Sequence, residues 1–155
     1  MKISIRKNSK IYIAGGYGMV GSSIYDNFKK KGFTKLFRDR SKKLDLLNQK
    51  KTFNFMKKLK PDLVIFCAAR VGGIKANNDF KSEFLYENIQ MSSNIINSSF
   101  QNNIKNLIYM GSSCIYPRDC KQPIKEDYLL TGSLENSNDA YAIAKIAGIK
   151  MCNYF

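Results

Sequence analysis

Three evenly spaced glycines, Gly15, Gly18 and Gly21, separate a short apolar run, Lys10-Ile-Tyr-Ile-Ala14, from a stretch of helical spacing over about Met19 to Lys31. A strand that must turn at once into a helix needs residues without a Cβ, and few folds make that turn. Such glycines let the backbone approach a pyrophosphate, while the helix behind them offers unpaired N–H groups to phosphates. The expected ligand is a dinucleotide. A tight turn without a ligand is the alternative, and the strand–loop–helix context favours the first reading.

The remaining pattern repeats this alternation. Leu36-Phe37-Arg38, Asp62-Leu-Val-Ile-Phe-Cys67 and Asn106-Leu-Ile-Tyr-Met110 read as further strands. Gln49 to Lys60 fits an amphipathic helix with Phe53, Phe55, Met56 and Leu59 apolar, and Pro61 ends it. Lys81 to Phe100 carries helical spacing through Phe84, Leu85, Ile89, Ile95 and Ile96. Gly32 is a helix stop, and Asn138 is the N-cap candidate of a last helix. Apolar strands alternating with helices imply parallel βαβ units with strands buried on both faces. The expected fold is α/β, a Rossmann-like doubly wound parallel sheet, preceded by an N-terminal extension over residues 1–9 and occupying 10–155. The polar loop from about Pro117 to Ser137 is long enough to be functional rather than a mere connector.

Composition narrows the classes. A chain of 155 residues, 44% hydrophobic and 25% charged, suits one soluble globular domain. It has no apolar run of about 18 residues to span a membrane, and Met1 to Lys7 has no apolar stretch for a signal peptide. A cytoplasmic protein is expected. The formal charge of +14 is spread along the chain, with short clusters only at Lys29-Lys30-Lys31 and Lys57-Lys58. This reads as a solvated basic surface that attracts phosphate-rich small molecules, not as a nucleic-acid stripe. The four cysteines, Cys67, Cys114, Cys120 and Cys152, form no C-x-x-C pair, and the sequence has no histidine. Reduced thiols without a metal site are expected.

Two later segments carry chemistry. Gly111-Ser112-Ser113-Cys114 follows the fourth strand, where open α/β sheets bind ligands. Tyr141 and Lys145 stand four residues apart, on one face of the last helix. A nearby ammonium favours the phenolate, so a lowered Tyr141 pKa is expected. After the second strand, Arg38-Asp39-Arg40-Ser41-Lys42-Lys43 offers bases to a 2′-phosphate, favouring NADP(H), while Asp39 is the residue that would favour NAD.

The strings Ile13-Ala-Gly-Gly-Tyr-Gly-Met-Val-Gly-Ser22, Ala68-Ala-Arg-Val-Gly-Gly-Ile-Lys-Ala-Asn-Asn78, Gly111-Ser-Ser-Cys-Ile-Tyr-Pro117 and Tyr141-Ala-Ile-Ala-Lys-Ile-Ala-Gly-Ile-Lys150 resemble the GDP-L-fucose synthases. These belong to the extended short-chain dehydrogenase/reductases, the NAD-dependent epimerase/dehydratase group. The resemblance covers nearly the whole chain. It implies NADPH-dependent conversion of GDP-4-keto-6-deoxy-mannose to GDP-L-fucose by 3,5-epimerisation and 4-reduction. Tyr141 would donate the proton at C4, Lys145 would bind the nicotinamide ribose, Ser112 would hold the substrate oxygen and Cys114 would be the epimerisation base. Gly15, Gly16, Tyr17, Gly18, Met19, Val20 and Gly21 would line the cofactor. So would Arg40, Ser41, Leu44, Asp45, Leu46, Ala68, Ala69, Met110, Gly111, Ser112, Ser113 and Lys145.

The resemblance also implies a homodimer and a histidine acid beyond the Tyr/Lys helix. Members of that family continue for about as many residues again, completing the sheet and adding a substrate domain. The expectation is therefore a sheet incomplete on its C-terminal side, with three outcomes: a chain inactive alone, a separate chain supplying the remainder, or a non-catalytic nucleotide-binding module. Nucleotide-sugar dehydratases are the enzymatic rival. They place an acidic residue where Ser113 and Cys114 stand here.

Overall fold

The computed structural model describes residues 5–155. The expectations placed on residues 1–4, the start of the extension and of the leader search, lie outside the described residues. Four strands and five α-helices follow in the order β1 (Ile11–Ala14), α1 (Met19–Lys30), β2 (Leu36–Phe37), α2 (Gln49–Leu59), β3 (Leu63–Phe66), α3 (Ile74–Asp79), α4 (Lys81–Gln101), β4 (Leu107–Tyr109) and α5 (Asp139–Tyr154). The chain divides into two compact units. The first holds the described residues through Ala69, Gln90–Met110 and Phe155, and the second holds Arg70–Ile89 and Gly111–Tyr154.

The first unit contains the sheet, in the order β2-β1-β3-β4. Every pairing is parallel, with Ile11 opposite Leu36 and Leu63, and Val64 opposite Leu107. The chain leaves β1 for β2 on one side and then crosses to β3 on the other. The carboxyl ends of β1 and β3 therefore form the switch point at which such sheets bind ligands. Alternate strand residues feed two cores. Ile11, Ile13, Leu63 and Ile65 pack with Ile24, Tyr25 and Phe28 of α1, whereas Tyr12, Ala14, Val64 and Phe66 pack with Met56 of α2 and Ile95 of α4. Helices cover both faces, as the expected doubly wound α/β fold requires.

Local chemistry sets the element ends. Gly32 takes a φ of +80° after the last turn of α1, and its N–H donates to the Lys29 carbonyl at 3.0 Å, so the glycine stop is real. The Asn48 side chain caps α2 by accepting from the Lys51 N–H at 2.9 Å. At its other end Lys60 turns left-handed one residue before Pro61. The strands are each shorter than the apolar runs suggested, because only the pairing residues count as strand.

Helix α4 hides polar pegs on its buried side. Asn94 is 2% exposed and donates through Nδ2 to the carbonyls of Leu46 (2.7 Å) and Leu47 (3.1 Å), while its Oδ1 accepts from Gln90 (2.9 Å). The segment after β2 has no regular structure of its own, and this amide fixes its backbone.

In the second unit, Asn88 does the same for the chain leaving β3. Its Oδ1 accepts from the Arg70 N–H (2.8 Å) and its Nδ2 donates to the Arg70 carbonyl (3.0 Å). The Arg70 guanidinium pairs with Glu87 at 2.5 Å. The short helix α3, not expected from the sequence, follows at once and is held by Asn77 donating to the Gly72 carbonyl at 2.8 Å. Lys81 pairs with Asp139 at 2.9 Å, tying the first residue of α4 to the first of α5. This donation from Lys81 is the main reason the Asp139 carboxyl is held below its usual pKa. Asn138 sits at the N-cap position, its carbonyl accepting from Ala142, but its side-chain oxygen is buried without a hydrogen bond. Asp139 takes the Ala140 N–H instead, at 2.8 Å.

Replacing Asn94 with Leu keeps the volume but strands two buried carbonyls. The expected cost is about 2 kcal/mol of stability, read as a lower urea midpoint with an unchanged slope.

Candidate cofactor and catalytic sites

The glycine loop is built by steric exclusion. Gly15 has a φ of +77°, and a Cβ there would sit 2.6 Å from the Ala68 nitrogen at the end of β3. A Cβ on Gly16 would lie 2.6 Å from Cβ of Arg38, and one on Gly21 would run into the Gly15 carbonyl. The loop turns back through Gly18 N–H donating to Gly15 at 2.9 Å. Gly18 is the N-cap of α1 and supplies no side-chain cap, so the first-turn N–H groups of a twelve-residue helix face outward without an internal acceptor. A backbone that every Cβ would obstruct, ending on an uncapped helix, fits a pyrophosphate. Met19 and Val20 stand on that first turn, 88% and 44% exposed.

The end of β2 closes one side of this loop. Arg38 donates from Nη1 to the Gly16 carbonyl at 3.0 Å, and its guanidinium lies 3.8 Å from the Tyr25 ring centre and 4.3 Å from that of Tyr17. Arg40 lies 4.8 Å from the Tyr17 ring centre. Asp39 is turned elsewhere. It pairs with Lys43 at 3.7 Å, its side chain is only 12% exposed, and its charge adds to the burial that raises the pKa of Tyr12. The carboxylate that would favour NAD thus has a lysine partner and lies within electrostatic reach of the Tyr12 core. The side chains of Leu44 and Leu46 are buried there too, and Asp45 accepts from the Leu47 N–H at 3.0 Å. Leu44 and Leu46 thus offer a ligand only backbone, whereas the exposed Asp45 also keeps a second carboxylate oxygen. Ala68 and Met110 lie in this first unit at the ends of β3 and β4, with Met110 N–H donating to Phe66 at 3.1 Å. Arg38 was read only as one base among several, yet it is the residue that joins β2 to the loop.

The second unit carries the chemical groups. After β4, Gly111 leads into Ser112 in extended conformation and a 3₁₀ turn over Ser113–Ile115. Helix α5 packs against that turn. Ser112 Oγ and Cys114 Sγ are 3.1 Å apart. Tyr141 is half-buried, and its pKa is raised, chiefly by burial and further by charge on Cys114. Lys145 is 3% exposed, with Nζ 5.7 Å from the Tyr141 ring centre. The structure thus brings Ser112, Cys114, Tyr141 and Lys145 into one cluster. The direction of the Tyr141 shift is opposite to the expected one. The ammonium lies over the ring at a distance, and burial beside the thiol outweighs it. A phenol held protonated in this way is a proton donor in waiting.

Among the described residues no group of three or more His, Cys, Asp or Glu side chains could hold a metal ion, and no helix is long and apolar enough to cross a membrane.

Known proteins resemble this chain over nearly its whole length. GDP-L-fucose synthase 1 of Arabidopsis thaliana is 46% identical over 149 residues, covering 96% of this chain and 46% of that protein. GDP-L-fucose synthase of Escherichia coli is 44% identical over 146 residues, covering 94% and 46%. A solved GDP-mannoheptose C4 reductase from Campylobacter jejuni with NADP bound superposes at a TM-score of 0.94 and 40% identity, over 97% of this chain and 48% of that one. The chain spans about half the length of the curated relatives it matches. The resemblance drawn from the four motif strings is borne out. Matched over residues 11–155, the chain belongs to the NAD dependent epimerase/dehydratase family and is similar within it to the GDP-L-fucose synthases.

Proposed function

We propose that this chain carries the cofactor-binding and reacting-group portion of an NADPH-dependent GDP-L-fucose synthase, acting on GDP-4-keto-6-deoxy-mannose by epimerisation at C3 and C5 and reduction at C4. The observation that supports the reading is the Ser112–Cys114–Tyr141 cluster, a thiol and a phenol close together beside a hydroxyl, the groups a base and an acid would need. A plain reductase needs only the acid. A dehydratase needs a carboxylic acid where Cys114 stands.

Bound NADPH supplies the hydride to C4. The protein's own groups do the rest. Lys145 orients the nicotinamide ribose, and Ser112 donates its hydroxyl hydrogen bond to the C4 oxygen. The Cys114 thiolate takes the proton from C3, acidified by the C4 ketone, and the histidine acid that the resemblance implies beyond the Tyr/Lys helix gives one to the opposite face. The thiol then releases its proton to solvent, the histidine takes one up, and the same exchange inverts C5. Tyr141 then passes its proton to the C4 oxygen as the ketone is reduced. Negative charge on Cys114 raises the Tyr141 pKa, so the acid keeps its proton for as long as the base is at work. The uncapped α1 terminus would hold the pyrophosphate, with Arg40 at the adenosine end favouring the 2′-phosphate of NADPH and Arg38 bracing the loop.

A homodimeric, cytoplasmic enzyme belongs to the same proposal, as does a separate chain supplying the sequence that the relatives carry beyond this region. A second reading is C4 reduction without epimerisation, supported by the 40% identity to a C4 reductase.

Four measurements decide. Calorimetric titration of the chain with NADPH should show saturable binding that Gly18→Asp weakens at least about ten-fold, since a carboxylate then meets the pyrophosphate; undiminished binding in the variant removes the glycine loop from the site. Incubation with GDP-4-keto-6-deoxy-mannose and NADPH should yield GDP-L-fucose from the chain alone or after adding the C-terminal half of a relative, and no product in either mixture sinks the assignment. In the active mixture Tyr141→Phe should cut reduction about 100-fold or more while leaving NADPH affinity intact. Cys114→Ala should abolish solvent deuterium uptake at C3 and C5 and, by removing a negative neighbour, move the Tyr141 titration to lower pH, followed by NMR of labelled tyrosine. Reduction without deuterium uptake in the unaltered protein selects the second reading.

A further inference from the structure

Tyr17 is half-exposed at the tip of the glycine loop, where no core packing requires an aromatic ring. Two guanidinium groups lie against it, Arg38 at 4.3 Å and Arg40 at 4.8 Å from its centre. Their circumstances differ. Arg38 is half-buried, bonded to the Gly16 carbonyl and laid against a second ring, Tyr25, at 3.8 Å. Its place is structural. Arg40 is exposed, and among the described residues its guanidinium has no carboxylate or hydrogen-bond partner. The nearby carboxylate, Asp39, is engaged with Lys43 instead.

A guanidinium held against an aromatic face keeps its edge N–H donors directed outward. That edge matches two phosphate oxygens at once. A loose arginine must lose its rotamer freedom when the ligand arrives, whereas one already stacked has lost part of it. We infer that Tyr17 is a positioning residue for cofactor choice: it holds Arg40 ready for the 2′-phosphate of the adenosine ribose, and so separates NADPH from NADH. The inference rests on the NADPH reading above and deepens it. Tyr17 itself carries no charge and touches the phosphate only through the arginine it holds.

The test is calorimetric titration of the chain and its variants with NADPH and with NADH. Tyr17→Ala should lower the NADPH-to-NADH affinity ratio about five-fold, while Tyr17→Phe keeps the ratio because it keeps the ring face. If Tyr17→Ala melts below the assay temperature, Tyr17→Leu, which fills the space without a π face, carries the same expectation. Arg40→Gln should lose the NADPH preference, and adding the Tyr17 change to it should lose no more. An NADPH-to-NADH ratio unaltered in the Tyr17 variant, including an equal fall for both nucleotides, overturns the inference. A ratio of one in the unaltered chain, or no binding of either nucleotide, overturns instead the NADPH reading beneath it.

Discussion

Everything in the first unit is arranged around the space left where β1 runs into α1. The Gly15 backbone touches that of Ala68 on one side, and α1 approaches through Gly21 on the other, each closer than a Cβ allows. This contact aims the uncapped helix end at the switch point between β1 and β3. Two apolar cores then lock the sheet and helices at that spacing. A phosphate site here is a by-product of removing three Cβ atoms, with no charged residue needed to create it.

Charge enters just after β2. The Arg-Asp-Arg run at 38–40 looks mixed in one dimension, yet both arginines lie against the Tyr17 ring while Asp39 pairs with Lys43. The second unit uses burial in the same economical manner. Tyr141 keeps its proton more tightly because it is partly withdrawn from water, and charge on the neighbouring thiol adds to the effect, so one placement links the two groups.

Much of this was legible in the sequence. Apolar runs marked the four strands, and Gly32 marked the end of α1, because backbone freedom and burial leave local signatures. The Tyr141 and Lys145 pair, with Ser112 and Cys114, was legible from spacing and motif. What could not be read was contact. Asn88 and Asn94 look like surface residues in an amphipathic helix, yet each is buried because a distant carbonyl needs a donor. The same holds for Asp39, whose partner is Lys43, and for Tyr141, whose pKa depends on how far its ring is withdrawn from water. Asn138 took the expected N-cap position while Asp139 made the side-chain bond.

The peg made by Asn94 has a wider consequence. Because a helix holds the main chain at Leu46 and Leu47, the shape of the segment after β2 does not depend on the side chains it carries at 40–43. Those positions are exposed and hold no core together. Their identities are therefore free to drift over a backbone that stays where it is. On the role proposed for Arg40, a new nucleotide preference is reached through a few surface codons, with no change in the strands, the helices or the second unit.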